Sequence, residues 1–309
     1  MYIDRAICRQ DEMASKPDMK VAVVTGANKG IGLEIVRSLC RHFGQDGVVY
    51  LTARNEGRGL AAVELLRKEG LNPRFHLLDV TDQSSIDTLR DHLEKEQGGI
   101  DILINNAGIG TSHHLPLYEK SLPVVKTNFF AVLAVCRSLM PLVRPSGRIV
   151  NVASTTGYIA FREQLDEDLK NRFRQVKDEE DLMALMDEYL QSCKERTIEK
   201  NRWPDKAYGI AKLGVIVWTK IQAKRLSEQE MTRGIRVNAC CPGFVYTDLT
   251  AHLPADHYGG TKISTVEGVA TPVFLALLPP GAEGPNGEFL LRRKSYDFLY
   301  TDVTIDICE

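Results

Sequence analysis

No block of one charge runs through this sequence: 39 Lys and Arg stand against 41 Asp and Glu, a net charge of −2. Without a basic face, nucleic acid and anionic membrane surfaces are excluded as principal partners. Long apolar runs are missing too. The most apolar helical stretch, around Leu213 to Trp218, is short and runs into Lys220 and Lys224, so no membrane span is expected. The first nineteen residues mix Asp4, Arg5, Arg9, Asp11, Glu12 and Lys16 with no apolar block. That argues against a secretory signal or a transit peptide and predicts a disordered tail over residues 1–19. Metal-ligand spacing is also lacking. The seven cysteines (Cys8, Cys40, Cys136, Cys193, Cys240, Cys241, Cys308) are scattered and odd in number, which reads as reduced, packed thiols in a cytoplasmic protein. Adjacent Cys240 and Cys241 at a strand end should face opposite sides. His113 and His114 have no second ligand cluster, so they read as loop residues and no metal is expected.

What is present is an alternation. Lys20–Thr25 is a near-continuous apolar run, as a parallel strand buried on both faces requires. Gly30–Phe43 follows as a helix with Ile31, Ile35, Leu39 and Phe43 at intervals of four. Gly47–Ala53, Arg74–Leu78, Asp101–Asn105, Gly147–Val152 and Gly234–Cys240 repeat the strand signature, and a last short strand is expected at Glu288–Leu291. The pattern predicts an α/β fold, a Rossmann-type doubly wound parallel sheet. One segment breaks the rhythm. Residues 161–205 are highly charged and helically spaced, with Leu165, Leu169 and Phe173 in one helix and Leu182, Leu185, Met186 and Tyr189 in a second. This predicts a helical insertion within a domain of residues 20–291, followed by a C-terminal tail over 292–309.

The first strand runs straight into Thr25-Gly26-Ala27-Asn28-Lys29-Gly30-Ile31-Gly32 and then a helix. Glycine permits the tight turn and a close backbone approach to a pyrophosphate, and the helix N-terminus offers unpaired N–H groups. The strand–turn–helix context makes this a nucleotide site. Its spacing resembles the TGxxxGxG motif of the short-chain dehydrogenases/reductases. Further matches follow in that family's order: Asp79-Val80, Asn105-Asn106-Ala107-Gly108, Asn128, Ser154, Tyr208-x-x-x-Lys212 and Pro242-Gly243. The resemblance runs from Lys20 to about Leu291. It implies that Asp79 contacts the adenine, Asn106 lies along the cofactor cleft, and Val245 and Thr247 hold the nicotinamide carboxamide. Asp79 has an alternative role as a helix cap before Asp82-Gln83-Ser84.

The choice of dinucleotide turns on a missing acid. NAD-binding versions carry a carboxylate at the end of strand two. Here the strand ends in Ala53-Arg54, with Arg58 one helical turn on and Lys29 in the glycine loop. Guanidinium groups match phosphate geometry, so NADPH is expected.

Tyr208 and Lys212 are four apart and share one helix face. A neighbouring ammonium favours the phenolate, which makes tyrosine a better acid–base group near neutral pH. Ser154, at a strand end, is placed to bond and orient a carbonyl oxygen. The resemblance implies that Asn128 holds a water linking the lysine to solvent, and that Phe244 and Cys241 edge the substrate pocket. The long gap between Ser154 and Tyr208 resembles that of monomeric NADPH-dependent carbonyl reductases, and implies a monomer reducing quinones, ketones or aldehydes. A narrower hydroxysteroid or prostaglandin oxidoreductase, and a non-catalytic NADPH-binding sensor or scaffold, are the alternatives.

Overall fold

The computed structural model describes residues 19–112, 114–229, 233–256 and 261–306. The expected N-terminal tail up to residue 18, with Cys8, and also His113 and Cys308, lies outside the described residues. Eight strands form one sheet: β1 (Lys20–Val24), β2 (Gly47–Ala53), β3 (Arg74–Leu77), β4 (Ile100–Asn105), β5 (Val143–Val152), β6 (Arg236–Cys241), β7 (Phe289–Leu291) and β8 (Lys294–Ser295). Their spatial order is β3-β2-β1-β4-β5-β6-β7-β8, with every neighbouring pair parallel except β7 and β8. The chain winds outward from β1 to β3, then crosses to β4 and winds the other way. The crevice at the carboxyl ends of β1 and β4 is where such sheets take their ligands.

The apolar strands follow from burial on both faces. Val21 and Val23 of β1 belong to one core layer, Ala22 and Val24 to the other. The same alternation puts Cys241 in the first layer and Cys240 in the second, as expected for neighbours in a strand. Helices α1 (Gly30–Phe43), α2 (Glu56–Lys68), α3 (Gln83–Gln97), α4 (Leu117–Val125) and α5 (Ala131–Leu139) cover these faces. Asp82 caps α3 by accepting from the Ser84 amide, so the capping role weighed for Asp79 belongs to Asp82.

The longest apolar helix is not the one around Leu213 to Trp218. Helix α4, a π turn (Lys126–Phe130), α5 and a short 3-10 turn run on as a single rod, Leu117–Leu142, long and apolar enough by length and composition to cross a membrane. Its apolar side chains have a partner inside the protein: Val124, Val125, Phe129, Val132, Val135 and Leu139 are buried in the core. Composition reads the same for a core helix and a membrane span; packing separates them.

After β5 come α6 (Thr155–Ile159), a π turn (Ala160–Gln164), α7 (Glu167–Gln175), α8 (Glu179–Glu195) and the long α9 (Ala207–Gln229). Trp203 joins α7 to α8 through edge-on contacts with Phe173 (6.2 Å) and Tyr189 (5.4 Å between ring centroids). Helix α8 lies on α9: Met186 Sδ sits 3.2 Å from where a side chain on Gly214 would begin. Helices α10 (Thr265–Gly268) and α11 (Ala270–Ala276) then lead to β7.

Residues 292–306 do not form the tail expected beyond Leu291. The chain turns back as β8, then buries Phe298, Leu299 and Ile305. Phe298 meets Tyr158, Phe161 and Phe289 at ring-centroid distances of 5.3–5.7 Å, and the Ile305 amide donates to the Tyr158 hydroxyl (3.2 Å). Burial of a Phe side chain contributes about 1.5–3 kcal/mol, so this segment is part of the core. Its anchors, adjacent Phe298 and Leu299 and then Ile305, repeat at neither a helix nor a strand period, which is why it reads as a tail.

Candidate active site

A cleft of about 1100 Å³ opens at the carboxyl ends of β1, β4, β5 and β6. The turn after β1 forms its floor. Gly26 has φ +62°, and a Cβ there would stand 2.7 Å from Ala107 Cα, so only glycine lets the two loops touch. Asn106 fastens that contact. Its side-chain amide donates to the carbonyls of Thr25 (2.9 Å) and Gly26 (3.1 Å), while the Thr25 hydroxyl accepts from the amides of Asn106 and Ala107 (3.0 Å each). Asn106 therefore lines the cleft while its amide group is committed to the glycine loop. No side chain caps α1 at Lys29, which leaves the first-turn N–H groups of Gly30, Ile31 and Gly32 for a ligand.

A cluster of cations stands at one end. Lys29, Arg54 and Arg58 all line the cleft, and among the described residues neither arginine is in an ion pair. Lys29 is paired with Asp248 across the cleft (2.6 Å). Asp79 accepts from the Thr81 amide (2.9 Å) and hydroxyl (2.7 Å). Burial pushes its carboxyl up, but those bonds and the charges of Arg54 and Lys126 outweigh it and hold the group below the usual range. Asn28 and Val80 complete this end.

The opposite wall comes from β5, α6 and α9. Ser154 lies two residues past the end of β5 and caps α6, its hydroxyl accepting from the Thr156 amide (3.2 Å). Gly157 lets α6 lie directly on α9: a Cβ there would stand 2.8 Å from the Leu213 amide nitrogen. That close approach brings Ser154 to the same cleft as Tyr208 and Lys212. Lys212 is buried, with Nζ 2.6 Å from the Val152 carbonyl, to which it donates, and 5.7 Å from the Tyr208 ring centroid. Burial lowers its pKa to about 8, with Cys241 and Cys240 pulling weakly the other way.

Two expected site residues are elsewhere. Asn128 is fully buried in the π turn and outside the cleft lining. Its amide oxygen accepts from the Ile109 N–H and its amide nitrogen donates to the Ile109 carbonyl, both at 2.9 Å. Its side chain shapes the loop after Gly108. Cys241 is also buried below the surface, its sulfur accepting from the Gly243 amide (3.4 Å). The alternation along β6 turned it into the core. Phe244, Val245 and Thr247 do line the cleft.

Sequence reasoning missed the charged wall. Lys120 of α4 and Asp205, just before α9, form an ion pair at 2.6 Å, and both line the cleft with Lys206 and His252. Position close before Tyr208 was a signal for Asp205; nothing in the sequence marks Lys120. Also missed was buried Lys262, which donates to the carbonyls of Thr250 and Leu253 (2.7 Å each) and lies under the rings of Phe244 and Tyr246.

A glycine turn opening a helix at the switch point of a doubly wound sheet, with a Tyr–Lys pair across the cleft, defines a dinucleotide-binding oxidoreductase site. The chain belongs to the short-chain dehydrogenases: the family model of that description matches residues 20–165, and full-length relatives extend the match. It is 48% identical over 279 residues to the NADPH carbonyl reductase 1 of Bos taurus, covering 89% of this chain and 96% of that protein. It is equally 48% identical over 274 residues to the NADPH carbonyl reductase 3 of Rattus norvegicus, covering 88% and 95%. Among solved structures, salutaridine reductase from Papaver somniferum superposes with a TM-score of 0.74 at 31% identity, covering 87% of this chain and 99% of that one.

Proposed function

We propose that this protein is an NADPH-dependent carbonyl reductase, converting quinones, ketones or aldehydes to alcohols, with Tyr208 as the general acid. The observation that carries the reading is one cleft that joins the glycine turn and its cations to Ser154, Tyr208 and Lys212. The donor set fits the cofactor. The amides of Gly30, Ile31 and Gly32 and the backbone of Gly26 and Asn28 suit a pyrophosphate. Lys29, Arg54 and Arg58 suit a 2′-phosphate, and Asp79 and Val80 an adenosine, with Asn106 alongside. Val245 and Thr247 suit a carboxamide. NADPH, when bound, supplies the hydride.

The protein's own residues do the rest. Ser154 donates a hydrogen bond to the substrate carbonyl oxygen and fixes its position. Tyr208 donates its proton to that oxygen as negative charge develops there. Lys212, an ammonium at neutral pH with its pKa near 8, favours the phenolate that Tyr208 becomes. Asn128 acts through Ile109 as a positioning residue, and Phe244 borders the substrate. The protein works as a monomer, because α8 occupies the outer face of α9. Five buried, unbridged cysteines suit the cytoplasm.

NADPH oxidation with a reactive quinone or α-dicarbonyl tests the reading. Tyr208→Phe should lower kcat about 10²- to 10⁴-fold while leaving NADPH affinity unchanged. A wild-type protein that binds NADPH yet reduces nothing across a broad carbonyl panel would turn the reading into that of a binding protein.

A further inference from the structure

The 2′-phosphate reading leaves a carboxylate unexplained in the middle of the cation cluster. Asp248 sits 2.6 Å from Lys29 and is close enough to Arg58 for both charges to hold its carboxyl below the usual range, the Lys29 bond first. Neither partner is buried: the side chains are 58% and 75% exposed. A lock between two loops would exclude water, whereas a solvated pair is cheaply broken.

The turn that carries Asp248 is stiff. The Thr250 hydroxyl donates to the Val245 carbonyl (2.5 Å) and accepts from the Thr247 amide (3.2 Å), and the Thr250 amide donates to the Thr247 carbonyl (3.0 Å). Lys262 pins the Thr250 and Leu253 carbonyls from below. The Thr247 methyl leans on the glycine turn, 3.3 Å from where a Cβ on Gly30 would be. Thr247 thus fixes the turn beside the glycine loop, and the Asp248 carboxylate reaches the Lys29 ammonium from it. A phosphate and this carboxylate would compete for one ammonium.

We propose that Asp248 is a cofactor-selectivity residue: a built-in competitor for Lys29 that the 2′-phosphate must displace, so that it weakens the preference the three cations create. This rests on the proposed NADPH reading. Evolution of a tighter NADPH site would then require only the loss of one exposed charge.

Calorimetric titration with adenosine 2′,5′-bisphosphate, and with 5′-AMP as the probe lacking the 2′-phosphate, separates the possibilities. Asp248→Asn should tighten the bisphosphate about two- to fivefold, the scale of an exposed ion pair, and leave 5′-AMP unchanged. In a Lys29→Ala background the gain should vanish. No tightening, equal tightening of both probes, or a gain that persists without Lys29 overturns the proposal. The broader reading fails separately: wild-type protein binding both probes equally would show that the cluster reads no 2′-phosphate, and would remove the proposal with it.

Discussion

At Lys212 the side chain kept for its charge sits where burial works against charge. Its fall to about 8 from the ordinary lysine value of 10.5 corresponds to about 3 kcal/mol of differential free energy. Below pH 8 folded and unfolded chains both carry the proton, and the whole penalty is present. Between about 8 and 10.5 the folded state releases it first, the unfolded state binds more protons, and stability rises with pH. Lys212→Met lacks this dependence. The stability of wild type relative to the variant should therefore climb across that interval in urea melts, and a flat difference would refute the assignment. At neutral pH the variant should be as stable as wild type or more so, because the lost bond to the Val152 carbonyl offsets only part of the gain. Its turnover should fall together with that of Tyr208→Phe.

The polar link of helix α8 to its neighbours centres on one residue at its first turn. Glu179 accepts from Arg137 Nε (2.5 Å), Trp218 Nε1 (2.5 Å) and Gln222 Nε2 (2.7 Å), tying the insertion to both α5 and α9. Its side chain is only 12% exposed while that of Arg137 is 51% exposed, so Glu179→Ala leaves the Trp218 and Gln222 donors without their acceptor and frees Arg137 to water. The expected cost is about 1–3 kcal/mol, that of leaving buried donors unsatisfied. A fall in Tm of several degrees, earlier proteolysis between residues 160 and 205, and self-association through the uncovered α9 should appear together. Unchanged Tm would mean that apolar packing alone holds the insertion. Helical spacing of Leu182, Leu185, Met186 and Tyr189 made α8 legible in the sequence. Its docking site was not, since no local pattern links Glu179 to a tryptophan thirty-nine positions away.

For the whole molecule, cofactor selectivity and stability are the same measurement. A ligand present at a hundred times its Kd stabilises the folded state by about 2.7 kcal/mol. NADPH should therefore raise Tm well above the effect of equal NADH, and Arg54→Asp should shrink the difference. An unchanged difference would place the phosphate outside the Arg54 cluster.

The sheet, its winding and the nucleotide turn were determined by the sequence, because each rests on local rules. Apolar runs buried on both faces make parallel strands, glycine makes the turn, and Tyr208 and Lys212 meet through helix spacing alone. The parts that depended on partners far along the chain were settled only by tertiary structure. Ile109 holds both ends of the Asn128 amide. Cys241 was turned into the core by the alternation along β6, where it pairs with Leu291 of β7. Lys120 gained its place on the cleft wall from Asp205, and residues 292–306 joined the core through Phe298. Sequence pattern encodes what a residue does within its own element; which distant group satisfies or buries it is fixed by packing.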